Sequence, residues 1–331
     1  MELIKKQIHM NQWKGNVTTQ ITLDDDFIVP DTLDDMEQVM LDTGEIQIET
    51  VKNQGDKVAV KGKLEFQVLY RKESGGLQTL GGNIPFEEVV NVQGLEEKDY
   101  VGLNWMLEDL NTDMINSRKL GVQAIITLQV RVETLRDVEA AVDGDMENNS
   151  RPAGAGMSDT DGAGQVQVET LKRTANAAAI AVRRKDTYRI KEELSLTGGK
   201  PNIGQLLWRE MKLRDVTAKP LDGRLHLDGE LSVFVIYGAE DENMPVQWLE
   251  ETIPFSGDME MGDVKEDQIP MVTVRLAHKD MEAKPDYDGE MREMDVDAVL
   301  ELDIKLYEEE EVELLSDMYS NNREINPNRT D

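Results

Sequence analysis

The sequence predicts an all-β protein made of tandem, mainly antiparallel, sandwich-like domains, each copy carrying one short α-helix. The first reason is alternation. In Lys57–Arg71 (KVAVKGKLEFQVLYR), apolar side chains recur at every second residue, which places them on one face of a strand. The side chains between them are mostly Lys, Glu, Gln and Arg, which suit the solvated face of an antiparallel sheet. The second reason is that turns containing Gly, Asn and Asp join such strands, which favours a sandwich over α/β crossovers.

The third reason is a repeat that runs through the chain. The key strand returns 167 positions later at Arg224–Gly238 (RLHLDGELSVFVIYG), with its apolar face matched and Gly62 falling on Gly229. Because two further blocks follow in the same order, the sequence indicates a duplicated domain. The paired segments are 57–71 with 224–238, 83–86 (NIPF) with 252–255 (TIPF), and 118–132 with 292–306. The second repeat also has Phe234 and Ile236 on its outer face, so we expect that face to be covered.

Each repeat is expected to hold one short helix early in its sequence. In the first repeat Asp31, after Pro30, is a good N-cap, and acidic residues fill the first turn. In the second repeat Asn202 is the expected cap. The apolar helical faces would be Leu33, Met36 and Met40 in the first repeat, and Ile203, Leu206, Leu207 and Met211, with Trp208 beside them, in the second. We expect both faces to pack on the sheets.

The remaining strands follow from shorter alternating stretches. Leu77–Val92 is interrupted by Pro85, which cannot donate to a ladder, so this strand is expected at a sheet edge or with a bulge. Thr174–Val182 fits either a helix or a strand. Tyr70 and Tyr237 end the two key strands and should have like surroundings if the duplication is real. Further strands are expected over 1–29, as a lead-in, and over 45–51, 100–107, 118–132, 166–171 and 185–196.

Length and composition give the expected domain bounds. The chain has 331 residues, enough for two domains that each bury a sizeable core. A stretch rich in Gly, Ala, Asn, Ser and Asp lacks any apolar period and is expected to be a flexible linker. The predicted division is a first β domain at 1–142, the linker at 143–165, a second β domain at 166–319 and a polar tail at 320–331.

The charge balance argues against several classes of partner. The net charge is −31, which repels phosphate backbones and anionic lipid headgroups and disfavours nucleic-acid binding. The chain has no cysteine, which fits a reducing compartment. Residues 1–14 are mixed and polar, unlike a secretory signal, and no stretch approaches the ~20 apolar residues of a spanning helix. A cytoplasmic protein without a membrane span is therefore expected.

The sequence contains no recognisable catalytic, cofactor or metal motif. The three histidines are far apart in sequence, and the Asp-rich stretch lacks the spacing of a calcium loop. A glycine pair without a strand–helix context is not a dinucleotide loop. The features considered are His9, His226 and His278; Asp24, Asp25, Asp26, Asp31, Asp34 and Asp35; Glu308–Glu311; and Gly154-Ala155-Gly156. We therefore predict no catalytic, cofactor-binding or metal-binding residue, and no enzyme.

The repeated blocks carry a family resemblance. KGKLEFQVLYR with NIPF, and KPNIGQLLWREMKLRDVTAKPLDGRLHLDGELSVFVIYG with TIPF, resemble the SPOCS domain of SipL-like spore coat morphogenesis proteins. The resemblance implies a noncatalytic role in the mother cell, helping the coat encase the forespore by binding the coat morphogenetic ATPase SpoIVA. Relatives often have a further SPOCS copy and end in a LysM domain, whereas nothing after Leu315 here is long enough for LysM. The partner that the resemblance implies is therefore SpoIVA or another coat protein.

Three functions can be weighed from the sequence, and the third, an enzyme with a site assembled across the domain interface, would need a deep cleft with converging carboxylates. The first is a structural adaptor of the spore coat that acts through protein contacts, for which edge strands are natural sites. The alternative is a carbohydrate or cell-wall binding module, because exposed indoles stack on sugars. The indoles concerned are Trp13, Trp105, Trp208 and Trp248, and burial of all four would remove that motive.

Overall fold

A computed structural model describes residues 2–145, 168–241 and 243–320. These residues form twelve strands, and no helix occurs among them. The all-β, mainly antiparallel prediction is therefore confirmed. The strands are β1 (Glu2–Ile28), β2 (Met36–Asn53), β3 (Lys57–Lys72), β4 (Leu77–Asn91), β5 (Tyr100–Asn116), β6 (Lys119–Asp145), β7 (Val168–Ser195), β8 (Ile203–Leu221), β9 (Arg224–Ala239), β10 (Val246–Glu260), β11 (Ile269–Pro285) and β12 (Met291–Ser320).

The strands form four three-stranded sheets, two in each repeat. The first repeat contains the sheets β2-β3-β4 and β1-β6-β5, and the second contains β10-β9-β8 and β11-β12-β7. The key strands are β3 and β9, each at the centre of its sheet and antiparallel to both neighbours. Because the sheet orders correspond strand by strand, the predicted duplication is confirmed in the topology.

Each repeat has its own core between its two sheets. Alternate side chains of β3 and β9 enter these cores, as their sequence pattern predicts, and alternate side chains of β6 and β12 close them from the opposite sheet. The fully buried positions include Val58, Val60, Leu64, Val68, Tyr70, Leu120, Val122, Ile126, Leu128 and Val130 in the first repeat, and Leu225, Leu227, Leu231, Val233, Val235, Tyr237, Met294, Val296, Leu300 and Leu302 in the second.

A glycine and a phenylalanine explain two of the repeated motifs. Gly62 lies opposite Phe86 across β3 and β4, and Gly229 lies opposite Phe255 across β9 and β10. A Cβ on Gly62 would lie 2.8 Å from the Phe86 ring and 2.6 Å from the Gln47 carbonyl oxygen, and one on Gly229 would lie 2.6 Å from the Phe255 ring. In both repeats the glycine thus makes room for the aromatic ring of the IPF segment over a bare backbone.

The two predicted short helices are wrong. In the first repeat, residues 31–33 form a turn and β2 begins at Met36; in the second, β8 begins at Ile203. Bulges account for the error. Pairing shifts register between Met36 and Gln38 and again between Val39 and Leu41, and β8 has equivalent shifts. An extra residue breaks the two-residue alternation, so apolar residues fall three or four apart as they would in a helix.

The turn before β2 is held from two sides. The Tyr70 hydroxyl donates to the Asp34 carbonyl oxygen at 3.0 Å. The Arg118 guanidinium donates to the carbonyl oxygens of Val29 and Leu33 at 2.9 and 2.8 Å. These contacts satisfy carbonyls that no strand partner reaches, and they tie the turn to the ends of β3 and β6.

The second repeat has the same arrangement at corresponding positions. The Tyr237 hydroxyl donates to the Pro201 carbonyl oxygen at 3.2 Å, and the Arg292 guanidinium donates to the Lys200 carbonyl oxygen at 2.9 Å. Pro201 stands 167 positions after Asp34, the same offset that relates the two tyrosines. The prediction that these tyrosines have like surroundings is confirmed.

Most other expectations about strands are confirmed. β4 and β10, which contain Pro85 and Pro254, are both edge strands of their sheets, and neither shows a register shift against its neighbour. Thr174–Val182 is part of the single long strand β7. The predicted linker at 143–165 is described only up to 145, and the predicted tail only at 320; the rest of both lies outside the described residues.

The described residues belong to two compact units. One contains Trp13–Thr134 and Val182–Leu306, which hold both repeat cores. The other contains Met1–Gln12, Leu135–Ala181 and Tyr307–Asp331, and we call it the strand-extension unit. Its described parts are the ends of β1, β6, β7 and β12, so both repeats contribute strands to it.

A buried acid distinguishes the first repeat from the second. The Asp99 side chain is fully buried; it accepts hydrogen bonds from the Lys14 ammonium at 2.7 Å and the Glu96 backbone N–H at 2.7 Å. Burial alone would raise the pKa of Asp99, but the bonds from Lys14, Glu96 and Thr134 outweigh it and lower that pKa. In the second repeat the neutral Gln268 makes the corresponding bond to the Lys265 N–H.

We expect Tyr237→Phe to lower the free energy of unfolding by about 1 kcal/mol, because the part-buried Pro201 carbonyl loses its donor. Tyr70→Phe should cost at least as much, since its hydroxyl also lies 3.0 Å from the Gln78 side-chain oxygen. Urea unfolding measures both. The control is Tyr287→Phe, at a fully exposed turn, which should change nothing. Equal stability of all three variants would contradict the proposed role of the two hydroxyls.

Asp99→Asn should be less stable than the wild type at neutral pH, with the difference shrinking as the medium is acidified. The folded-state pKa of Asp99 is lowered, so its stabilising contribution is present above the unfolded pKa of about 3.9 and is lost as pH falls through the lower folded value. Melting temperatures of both proteins between pH 7 and about pH 2 test this expectation. A difference that stays constant or widens in acid would contradict it.

Candidate protein-binding surfaces

The two repeats meet at an apolar contact between the β2-β3-β4 and β8-β9-β10 sheets. Leu69 and Leu77 of the first repeat pack with Leu207 and Trp208 of the second, and the three most central of these side chains are buried. The Thr79 hydroxyl donates to the Leu207 carbonyl oxygen. Phe234 and Ile236 pack against the same cluster, so the expected covering of the outer face of the second repeat is confirmed for these two residues.

A charged network joins the β5–β6 side of the first repeat to β7 and β12 of the second. The Lys305 ammonium lies 2.8 Å from both carboxylate oxygens of Glu133, and the Arg183 guanidinium lies 3.5 Å from one of them. The side chains of Glu133 and Lys305 are only 8% and 11% exposed. The Tyr100 hydroxyl donates to the Asp303 carboxylate at 2.9 Å. Opposite charges from different repeats therefore neutralise one another away from water.

The charged network, which we call the seam, continues towards β11 through an arginine. The Arg275 guanidinium stacks 3.8 Å from the centre of the Trp105 ring and donates to the Asn104 side-chain oxygen at 2.7 Å. Burial lowers the pKa of Arg275, and it raises the pKa of Tyr100, to which the hydrogen bond with Asp303 adds. Both shifts follow from packing between repeats, which removes these groups from water. The geometry supports a structural junction rather than a reacting centre.

The strand-extension unit presents many exposed apolar side chains. Its interior is small, with Ile8, Val312 and Met318 buried. Ion pairs link its strands: the Lys5 ammonium lies 3.1 Å from the Glu139 carboxylate, and that of Lys172 lies 2.9 Å from Asp143. All four strands expose large apolar side chains to solvent, and these are Ile4, Met10, Leu135, Val138, Leu171 and Tyr319. Each of the four strands thus leaves large apolar side chains in contact with solvent.

The four tryptophans differ in exposure. Trp208 is buried, and Trp105 lies under Arg275. Trp13 and Trp248 are 52% and 58% exposed. Trp248 lies 6.4 Å from the Phe234 ring, and the Lys200 ammonium lies 5.2 Å from its centre. Two of the four indoles are therefore available to solvent, one in each repeat.

The acidic residues near the first turn act as structural partners. Arg118 pairs with Asp31 at 3.1 Å and Asp35 at 3.0 Å, and Lys72 pairs with Asp34 at 3.2 Å. Lys119 pairs with Asp26, and Gln123 donates to Asp24. In the ranges that the structure describes, no group of three or more His, Asp or Glu side chains is arranged to hold a metal ion.

The histidines lie apart from one another. His226, on the outer face of β9, has Nδ1 at 2.5 Å from Asp258 and Nε2 at 3.0 Å from Asp228. His278 is exposed on β11. His9 belongs to β1, and its side chain lies outside the described residues. Both ring nitrogens of His226 are occupied by carboxylates, which fits a surface role.

Sequence reasoning missed the seam and the strand-extension unit. Glu133 and Lys305 stand among ordinary surface-type residues in their strands, so nothing in either pattern indicates that they face each other. The long ends of β6 and β12 are even harder to predict from the sequence, because the alternation of apolar and polar residues weakens beyond the repeat cores. Only the pairing of two repeats brings these residues together.

The fold defines the class of protein: a duplicated all-β protein whose two repeats are joined by an apolar contact and a charged network. The family model for SipL, SPOCS domain, matches residues 35–115 and 202–284, one segment in each repeat. The chain belongs to the SPOCS-domain family and contains two SPOCS copies. No curated protein and no solved structure gives a significant match. Across the described ranges, no helix has the length and apolar character needed to cross a membrane.

We expect Lys305→Met to lower the free energy of unfolding by about 2–3 kcal/mol, because the buried Glu133 carboxylate loses the ammonium group that lies 2.8 Å from it. The double variant Glu133→Gln/Lys305→Met should recover part of that loss. Lys185→Met is the matched control, because its ion pair with Glu301 is exposed and should contribute at most about 0.5 kcal/mol. If the two lysine variants are equally stable in urea, the seam does not depend on this ion pair.

Proposed function

We propose that the protein is a noncatalytic structural adaptor of endospore coat assembly that acts through protein–protein contacts. It would work in the mother-cell cytoplasm, at the forespore surface, with the coat morphogenetic ATPase SpoIVA or another coat protein as partner. Membership of the SPOCS-domain family supports the connection with the spore coat. The seam supports the structural role, because its charged groups are committed to holding two repeats together.

The observation that carries this proposal is the exposed apolar surface of the strand-extension unit. Six large apolar side chains are exposed there, over a small buried interior. The unit is separate from the one that holds both repeat cores, and it lies outside both segments that the SPOCS model matches. A partner surface with an apolar centre and a basic rim would fit this unit, because the acidic residues Glu309–Glu311 lie in β12, one of its four strands.

The test compares tagged chains in a sporulating host whose own copy of the gene is deleted. The wild-type chain should form a ring around the forespore. Leu135→Asp and Leu171→Asp, in β6 and β7 of the strand-extension unit, should make the signal diffuse and reduce partner recovery in a pull-down at least about tenfold. Tyr287→Asp, outside this unit and fully exposed, is the matched control and should localise normally.

Each result of this experiment has a stated meaning. Folding is checked by the circular dichroism spectrum and the melting temperature of each purified variant. A diffuse wild-type signal together with normal spores in the deletion strain would overturn the adaptor proposal. Normal localisation of folded Leu135→Asp and Leu171→Asp would place the partner surface elsewhere and overturn the role of the strand-extension unit.

A carbohydrate or cell-wall binding module is the second candidate function. The observation in its favour is that Trp13 and Trp248 remain half-exposed and could stack on sugar rings. Against it, the two indoles belong to different repeats, and the other two are covered. Co-sedimentation with purified peptidoglycan distinguishes the candidates: binding that Trp13→Ala and Trp248→Ala abolish would favour this function over the adaptor.

A further inference from the structure

Corresponding rows of side chains cross the outer faces of the β2-β3-β4 sheet and the β8-β9-β10 sheet. In the first repeat, Leu41, Leu69 and Thr79 lie directly opposite one another across β2, β3 and β4. In the second repeat the equivalent row is Trp208, Ile236 and Trp248 across β8, β9 and β10. The rows match residue by residue through the repeat offsets. Each row therefore has a β2/β8 end and a β4/β10 end.

The contact between the repeats joins opposite ends of these equivalent rows. The first repeat contributes its β4 end, with Leu69, Leu77 and Thr79, while the second contributes its β8 end, with Leu207 and Trp208. A contact that uses a different patch on each partner is heterologous, and it leaves one unused patch on each side.

The unused patches are apolar and exposed. At the β2 end of the first repeat, Met40 and Leu41 are the equivalents of Leu207 and Trp208, and they are 49% and 41% exposed. At the β10 end of the second repeat, Val246 and Trp248 are the equivalents of Leu77 and Thr79, and they are 39% and 58% exposed. The internal contact buries Leu207 and Trp208 almost completely and leaves Leu77 and Thr79 partly buried. The two free ends thus carry the two halves of a contact that the chain already makes once.

We propose that a second copy of this chain docks head to tail, placing its Met40–Leu41 patch on the Val246–Trp248 patch of the first. We infer a second copy as the partner from the internal contact. Inside the chain, Leu207 and Trp208 already cover the patch equivalent to Val246–Trp248, and their own equivalents, Met40 and Leu41, are exposed. Phe234, where the first repeat has Gln67, packs on the internal cluster and lies 6.4 Å from the Trp248 ring, so the free patch is continuous with the contact the chain already makes. Such a contact propagates along a series of chains unless its rotation closes a ring.

Charge sets the conditions under which the contact should be seen. Each chain has a net charge of −31, so two copies repel each other at low ionic strength. Salt screens that repulsion and leaves the apolar contact in place. Association should therefore strengthen as salt is raised, which is the reverse of what an interface built on ion pairs would do.

Sedimentation velocity of the full chain tests the proposal, from low concentration up to about 100 μM, with and without added salt. The wild type should form dimers and longer species as concentration and salt rise. Trp248→Asp and Leu41→Asp should each weaken association at least about tenfold. Tyr287→Asp is the matched control and should associate like the wild type. Because Leu41 and Trp248 are exposed, melting temperatures should not change.

Mixing the two variants gives the decisive result. Trp248→Asp retains a free β2 end, and Leu41→Asp retains a free β10 end, so an equimolar mixture should form dimers of one variant with the other and stop there. A wild type that stays monomeric at every concentration and salt overturns the proposal. So does a mixture that fails to dimerise while each variant alone is monomeric. These substitutions lie outside the strand-extension unit, so coat localisation by the adaptor surface is tested separately.

Discussion

The hydrogen bond from a tyrosine hydroxyl to a turn carbonyl, made once in each repeat, is the contact on which the architecture depends. Tyr70 and Tyr237 end the central strands of their sheets, and each bonds to the turn that carries the chain from one sheet to the other. Arg118 and Arg292 reach the same turns from the opposite sheet. Two sheets are thereby fixed at one end, and the alternate side chains of β3 and β6, or β9 and β12, close the core between them.

The central strands could be predicted because their information is local. One buried face and one wet face leave a two-residue period that can be read without knowing any partner. The same rule explains the failure at the start of β2 and β8, where bulges displace Met36 and Ile203 from the alternation and imitate a helical period. The seam escaped prediction for a different reason: Glu133 and Lys305 are neighbours only because two repeats are packed together, and no spacing within either repeat encodes that packing.

Duplication supplied two equal frameworks, and the differences between them lie where the repeats no longer have the same surroundings. Asp99 is buried with Lys14 in the first repeat, whereas the second uses the neutral Gln268 to hold the same turn. In both repeats the backbone N–H of the turn has a side-chain acceptor, but only in the first repeat is that acceptor a charged carboxylate. The seam shows the same divergence, since Glu133 of the first repeat has Tyr307 as its equivalent in the second.

The outer rows show which differences bear on assembly. The first repeat has Thr79 at the β4 end of its row, where the hydroxyl bonds to the second repeat; the second repeat has Trp248 at the equivalent place, in solvent. An exposed indole does not contribute the favourable free energy of burying a large aromatic side chain. A polar residue in place of Trp248 would also keep the monomer more soluble. Gln67 and Phe234 differ in the same direction. The exposed indole at this end is best accounted for by a surface of another molecule, and the chain itself supplies a candidate at Met40 and Leu41, the equivalents of the residues that make the internal contact.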